Sequence, residues 1–138
     1  MDTSLNILIV DNFASMRRII KNLLRDLGCH NTSEAADGST ALLALQNGQF
    51  DLLITDWDMP DMSGIELLKA VRADPKLHSL PVLMVTAEAK RDQILEAAEA
   101  GVNAYIIKPF TVRTMKQKLD KIFQQIEVSR SVMADPSD

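Results

Sequence analysis

Hydrophobic residues in the 138-residue chain alternate between short unbroken runs and longer stretches where they recur every third or fourth position. The unbroken runs are Leu8-Ile9-Val10, Leu52-Leu53-Ile54, Val82-Leu83-Met84-Val85 and Tyr105-Ile106-Ile107. After the first run, Met16, Ile19, Ile20, Leu23, Leu24 and Leu27 follow a helical period, with Gly28 placed to stop it. A weaker strand near residues 33–36 precedes a helix that begins after Asp37-Gly38, carries Leu42, Leu43 and Leu45, and ends at Asn47-Gly48. The third main element leads through a loop with Pro60 and Gly64 into Ile65, Leu68 and Val71. The fourth leads into an alanine-rich stretch with Ile94, Leu95 and Ala98, closed by Gly101. The last passes Pro109 into a long helix marked by Met115, Leu119, Ile122, Phe123 and Ile126.

Strands this continuously apolar are expected to be parallel and covered on both faces. Right-handed crossovers then give an α/β fold, with one five-stranded parallel sheet and helices on both sides. The expected domain spans residues 1–127. Residues 128–138, where the apolar period fades into Asp-Pro-Ser-Asp, are read as a helix end and mobile tail.

Four of the runs end on polar groups suited to phosphate: Asp11, Asp56 (after Thr55), Thr86 and Lys108. Open α/β sheets bind ligands outside the carboxyl ends of their strands. One strand-end aspartate alone reads as a helix cap or turn residue; four such ends in succession shift the reading to a shared cleft. Asp56 opens Asp56-Trp57-Asp58-Met59-Pro60 and is the candidate nucleophile. A carboxylate that attacks phosphorus must overcome repulsion from an incoming anion. Lys108 supplies one fixed cation, a divalent metal would supply more charge, and the Thr86 hydroxyl can donate to a phosphoryl oxygen. Mg²⁺ takes hard oxygen ligands, and Asp11 with Asp56 suits it, Asn12 facing the same cleft. Asp11 or Asn12 equally reads as the start of the next helix.

Composition narrows the remaining classes. The length fits one core. A net charge of −4 with 25% charged residues gives no encouragement to nucleic-acid or anionic-membrane binding, which favours a strongly basic face. No apolar run approaches the ~18 residues of a membrane span, and Met1-Asp2-Thr3-Ser4 lacks a basic leader, so a cytoplasmic protein is expected. Cys29 is the only cysteine, which excludes an intramolecular disulfide and reads as a small apolar packing residue. His30 and His78 form no metal pattern. Met16, Met84 and Met115 fit core stripes, and Trp57 is a natural reporter beside the cleft.

Asp11, Asp56-Trp57-Asp58-Met59-Pro60, Gly64, Val85-Thr86-Ala87 and Lys108-Pro109-Phe110 together resemble the signature of response-regulator receiver domains. The resemblance covers about residues 5–126. Phe13, Ser15-Met16-Arg17-Arg18-Ile19, Val71-Arg72-Ala73-Asp74, the run from Leu80 to Lys90 and Lys118-Leu119 look most like the CheY-like chemotaxis branch. It implies the strand order 2-1-3-4-5 of the flavodoxin-like (βα)5 fold. It further implies that Asp56 accepts a phosphoryl group from a histidine kinase of CheA type, in a phosphoacceptor signalling domain that is not an enzyme beyond assisting its own phosphorylation and dephosphorylation. Asp11, Asn12, Asp56 and the main-chain carbonyl of Asp58 would surround Mg²⁺. Thr86 and Lys108 would contact the phosphoryl oxygens, Thr86 and Tyr105 would switch orientation, and Lys108-Pro109 would be cis.

The resemblance also implies a monomer that signals through the fourth helix, fifth strand and fifth helix to the flagellar switch protein FliM, with a CheZ-type phosphatase as a further partner. Here that surface comprises Lys90, Ile94, Ala98, Glu99, Val102, Tyr105, Ile107, Thr114, Lys118 and Lys121. Two departures stand out. Receivers usually carry adjacent acids where this chain has Asp11-Asn12, and Asp58 stands where Asn is frequent; weaker or rearranged Mg²⁺ binding is expected. Val102 replaces a smaller alanine, and Glu99 adds an acid beside it. Such changes can reject a partner, which leaves open a phosphate sink that does not bind FliM. The residues also leave open a metal-poor interaction module. A flavodoxin-like cofactor binder would share the fold class, but Asp11-Asn12-Phe13 is a poor anion cradle for one.

Overall fold

A computed structural model describes residues 3–87 and 89–134. Glu88 and the last four residues of the expected tail lie outside the described residues. The elements alternate as expected: β1 (Ile7–Val10), α1 (Ala14–Asp26), β2 (Thr32–Ala35), α2 (Gly38–Asn47), β3 (Leu52–Thr55), α3 (Gly64–Ala73), β4 (Val82–Thr86), α4 (Arg91–Glu99), β5 (Ala104–Ile107) and α5 (Val112–Ala134). All neighbouring strands pair in parallel, in the order β2-β1-β3-β4-β5.

The strand period of two divides the core between the faces. Ile7 and Ile9 of β1, Leu52 and Ile54 of β3, and Leu83 and Val85 of β4 pack with α1 and α5 through residues such as Leu24, Met115, Leu119 and Ile122. Leu8, Val10, Leu53, Val82 and Met84 pack on the other face with α2, α3 and α4 through Ala41, Leu45, Leu68, Val71 and Ala97. β1, β3 and β4 are buried throughout, as continuous apolar runs require. The edge strand β2 breaks that rule: Ser33 and Glu34 are exposed and only Ala35 is buried. An edge strand has one neighbour and less cover, so its sequence signal is weak.

Helix ends follow local chemistry. The Asp37 carboxylate accepts the Thr40 N–H at 2.7 Å and starts α2. Ser63 and Glu66 form a reciprocal capping box at the start of α3. Gly28, at φ +91°, follows the end of α1 in a conformation that favours glycine, and Cys29 beside it is buried. Ile19, Leu43 and Leu95 belong to the helical periods but are 51%, 59% and 51% exposed, because each helix buries a narrower stripe than its apolar positions suggest. α5 continues without interruption past residue 127 to Ala134. Among the described residues no helix is long and apolar enough to cross a membrane.

Candidate phosphoacceptor site

The strand ladders extend one residue beyond β1 and β3. Asp11 N–H donates to the Ala35 carbonyl at 3.2 Å, and Asp56 N–H donates to the Val10 carbonyl at 3.0 Å. Val10 stands in register with Thr55, so the next residues, Asp11 and Asp56, emerge side by side. Across the sheet, Lys108 N–H donates to the Thr86 carbonyl at 2.8 Å and carries the lysine off the end of β5. The Lys108 ammonium then lies 3.1 Å from Asp11 Oδ2 and 3.4 Å from Asp56 Oδ2. Residues separated by most of the chain thus meet in one cleft.

Each carboxylate is also held by main chain. Asp11 Oδ1 accepts the Phe13 N–H at 2.9 Å, and Asp56 Oδ1 accepts the Trp57 N–H at 2.7 Å. Asp11 does not cap α1, whose cap position is Phe13 with no side-chain cap bond; its carboxylate closes a turn on the Phe13 N–H while its other oxygen faces Lys108. Behind Asp56 the chain passes so close to α3 that a methyl group on Gly64 would overlap the Asp56 carbonyl oxygen. The Gly64 N–H donates to the Trp57 carbonyl at 2.8 Å and pins this loop.

Two anions share one ammonium. Asp11 is 1% and Asp56 6% exposed, so water screens them little. Burial raises the Asp56 pKa above the ordinary carboxylate value; Lys108 opposes that rise, the like charge of Asp11 adds to it, and the Trp57 N–H opposes it. At an effective dielectric of 20, unit charges ~4 Å apart interact by about 4 kcal/mol. A second cation would relieve the excess negative charge, and the available donors are hard oxygens. The residues present therefore fit Mg²⁺. Asn12 and Asp58 are exposed at the rim. Among the described residues, no third Asp, Glu, His or Cys joins Asp11 and Asp56 in a metal-ligand cluster.

Thr86 is fully buried at the end of β4. Tyr105 is half-buried in β5, opposite Met84, and packs against the core on the α4 side. Lys108-Pro109 is cis, as the resemblance implied. Of the remaining surface positions, Lys90, Ala98, Glu99, Ile107 and Lys121 are exposed, and Ile94, Thr114 and Lys118 are half-buried. Val102 is also half-buried: it packs against the core on the α4 side, and its N–H donates to the Ala97 carbonyl at 3.0 Å.

Sequence reading missed the support that Arg17 gives this site. Its Nη1 donates to the Asp11 carbonyl at 2.6 Å while its Nε meets Glu34 of β2 at 3.0 Å. An arginine in a basic helix carries no sign of such a contact until the edge strand is placed beside it.

The sequence profile of the response regulator receiver domain matches residues 7–120, well over half of the chain. The chain belongs to the response regulator receiver family. This receiver is 66% identical over 122 residues to chemotaxis protein CheY of Pseudomonas aeruginosa, covering 88% of this chain and 98% of that protein. It is 64% identical over 126 residues to chemotaxis protein CheY-3 of Vibrio cholerae, covering 91% and 97% respectively. Among solved structures, the receiver is similar to the chemotaxis response regulator CheY4 of Vibrio cholerae, with a TM-score of 0.79 at 34% identity over 87% of this chain and 99% of that one. A CheY-like receiver domain protein of Methanospirillum hungatei gives a TM-score of 0.82 at 30% identity, covering 91% and 98%.

Proposed function

We propose that this receiver is a chemotaxis response regulator that takes a phosphoryl group on Asp56 from a histidine kinase of CheA type. The convergence of Lys108 on both Asp11 and Asp56 carries this reading. An oxygen of Asp56 attacks phosphorus as the bond to the kinase histidine nitrogen breaks; the leaving imidazole keeps the electron pair and takes up a proton. Lys108 meets the charge on the phosphoryl oxygens, and the Thr86 hydroxyl donates to one of them. Asp11, Asp56, the Asp58 carbonyl and Asn12 would hold Mg²⁺, whose chemistry when bound is to neutralise charge on the transferring group. Phosphorylation shifts the populations of Thr86 and Tyr105 and so changes the α4–β5–α5 face, where FliM is the proposed target and a CheZ-type phosphatase a further partner. The proposed working form is a cytoplasmic monomer.

Acetyl phosphate with Mg²⁺, followed by intact-mass measurement, tests the acceptor role. The wild type gains one phosphoryl group, whereas Asp56→Asn and the Mg²⁺-free reaction do not. Binding of the phosphorylated protein to a FliM N-terminal peptide supports a motor target. No binding supports the phosphate-sink reading, which the exposed acid Glu99 on the same face favours. Asn12→Asp adds a charge at the rim and is expected to tighten Mg²⁺ by several-fold, read from Trp57 fluorescence; equal affinity would remove any role for that position.

A further inference from the structure

We propose that Arg17 is a positioning residue for the cation and phosphoryl site, acting through the main chain of Asp11. The inference rests on the reading of Asp11 and Asp56 as metal ligands.

Asp11 is held at four points. Its N–H donates to Ala35 and its carboxylate oxygens meet the Phe13 N–H and Lys108. The fourth is its carbonyl oxygen, which accepts from Arg17 Nη1 at 2.6 Å. That oxygen belongs to the rigid peptide plane joining Asp11 to Asn12. Fixing it therefore sets both the exit direction of the Asp11 side chain and the starting point of Asn12. With Asn in place of an acid at residue 12, more of the cation's hold falls on where Asp11 stands.

The guanidinium is itself oriented. Nε meets Glu34 Oε1 at 3.0 Å, with Lys21 3.8 Å from the other oxygen of the same carboxylate. The Arg17 side chain is 17% exposed and its bond to the Asp11 carbonyl is part-buried, whereas the Glu34 carboxylate, 37% exposed, reaches water. Glu34, shared with Lys21, offsets only part of the Arg17 charge, and the arginine reaches the site through the Asp11 carbonyl oxygen, so that it acts by geometry. Lys108 differs in this respect, since its charge lies within the cleft. The pairing also gives a reason for a glutamate in the polar edge strand β2: it anchors the arm that steadies the end of β1.

A planar fork can span the Asp11 carbonyl and Glu34 at once, whereas a lysine ammonium is a point charge on a flexible stem. Outer contacts of this kind carry about tenfold in metal affinity. The experiment titrates Mg²⁺ by Trp57 fluorescence in wild type, Arg17→Ala, Arg17→Lys and Glu34→Gln, with thermal melts alongside. Arg17→Ala is expected to bind Mg²⁺ about tenfold more weakly and Arg17→Lys roughly threefold more weakly. Glu34→Gln, which keeps an acceptor oxygen for Nε, stays close to wild type. Acetyl phosphate labelling of the arginine variants slows at limiting Mg²⁺ and recovers at saturating Mg²⁺. A role confined to stability would lower the melting point without producing that split. Wild-type Mg²⁺ affinity in folded Arg17→Lys overturns the inference, even if Arg17→Ala fails to fold. A wild type that shows no Mg²⁺ dependence overturns the metal reading beneath it, an outcome distinct from a Mg²⁺-dependent wild type with unaffected variants.

Discussion

Polar side chains gather at both edges of the sheet, buried at one and half-buried at the other, and the two groups are balanced in opposite ways. At the carboxyl edge, Asp11 and Asp56 share Lys108, two anions to one cation. At the amino edge, Arg72 meets only neutral oxygens among the described residues. It donates to the Gly101 carbonyl from two nitrogens at 3.1 and 2.8 Å, to Leu80 at 2.6 Å, to His78 at 3.0 Å and to Asn103 Oδ1 at 3.0 Å. Asn103 in turn accepts the Val82 N–H at 2.8 Å. Burial pulls the Arg72 pKa below its usual value, but the carbonyls replace the water it has lost. That cluster is complete, and it fastens the end of α3 to the segments entering β4 and β5. The cleft at the other edge is left with a charge deficit that a ligand can fill. Hydrogen-bonded polar groups alone do not mark a functional site; two like charges held side by side on a single counter-ion do.

The contrast can be broken by substitution. Lys108→Ala should give the largest effect, slowing acetyl phosphate labelling of Asp56 by about 10³-fold, as removal of a charge-stabilising donor does. Its apoprotein should melt earlier at neutral pH and regain most of the loss with Mg²⁺, because the two carboxylates are then left facing each other. Arg72→Ala should do the reverse: a stability loss of about 3 kcal/mol by denaturant melts, from hydrogen bonds to a charged donor, with Mg²⁺ affinity unchanged. If Arg72→Ala altered the Mg²⁺ titration as strongly as Lys108→Ala, the separation between the edges would be lost.

The smallest effect concerns pH. Burial, with Asp11 beside it, raises the folded pKa of Asp56 despite Lys108. Its favourable contribution to stability is complete below the unfolded carboxylate value of about 3.9 and is lost as pH rises through the higher folded value. Asp56→Asn should therefore melt about 3 °C above the Mg²⁺-free wild type at pH 7. The gain should fade as the pH falls towards 4, and scanning calorimetry across that range checks it.

How much of this was legible in the sequence depended on burial. β1, β3 and β4 were legible because both faces of each are covered, so their residues had to be apolar in unbroken runs. The polar residues closing those runs marked the cleft, since strand ends must fall on one edge of a parallel sheet. β2 gave a faint signal because Ser33 and Glu34 face water. Ile19, Leu43 and Leu95 looked like core residues because periodicity reports the direction of a helix stripe and not its width. Arg17 and Arg72 were illegible as structural partners. Each holds main-chain carbonyl oxygens, which every residue possesses, and its one side-chain acceptor, Glu34 or Asn103, lies far off in the sequence.

Gly64 shows how narrow a tolerance can sit behind a reactive group. The helix that follows the acceptor loop abuts the Asp56 backbone with only a hydrogen atom between them. Lengthening that spacer by one carbon would push the whole acceptor segment outward, taking the Asp56 side chain away from Lys108 without altering a single charge. The smallest residue in the chain thus sets the distance on which the largest electrostatic effect depends.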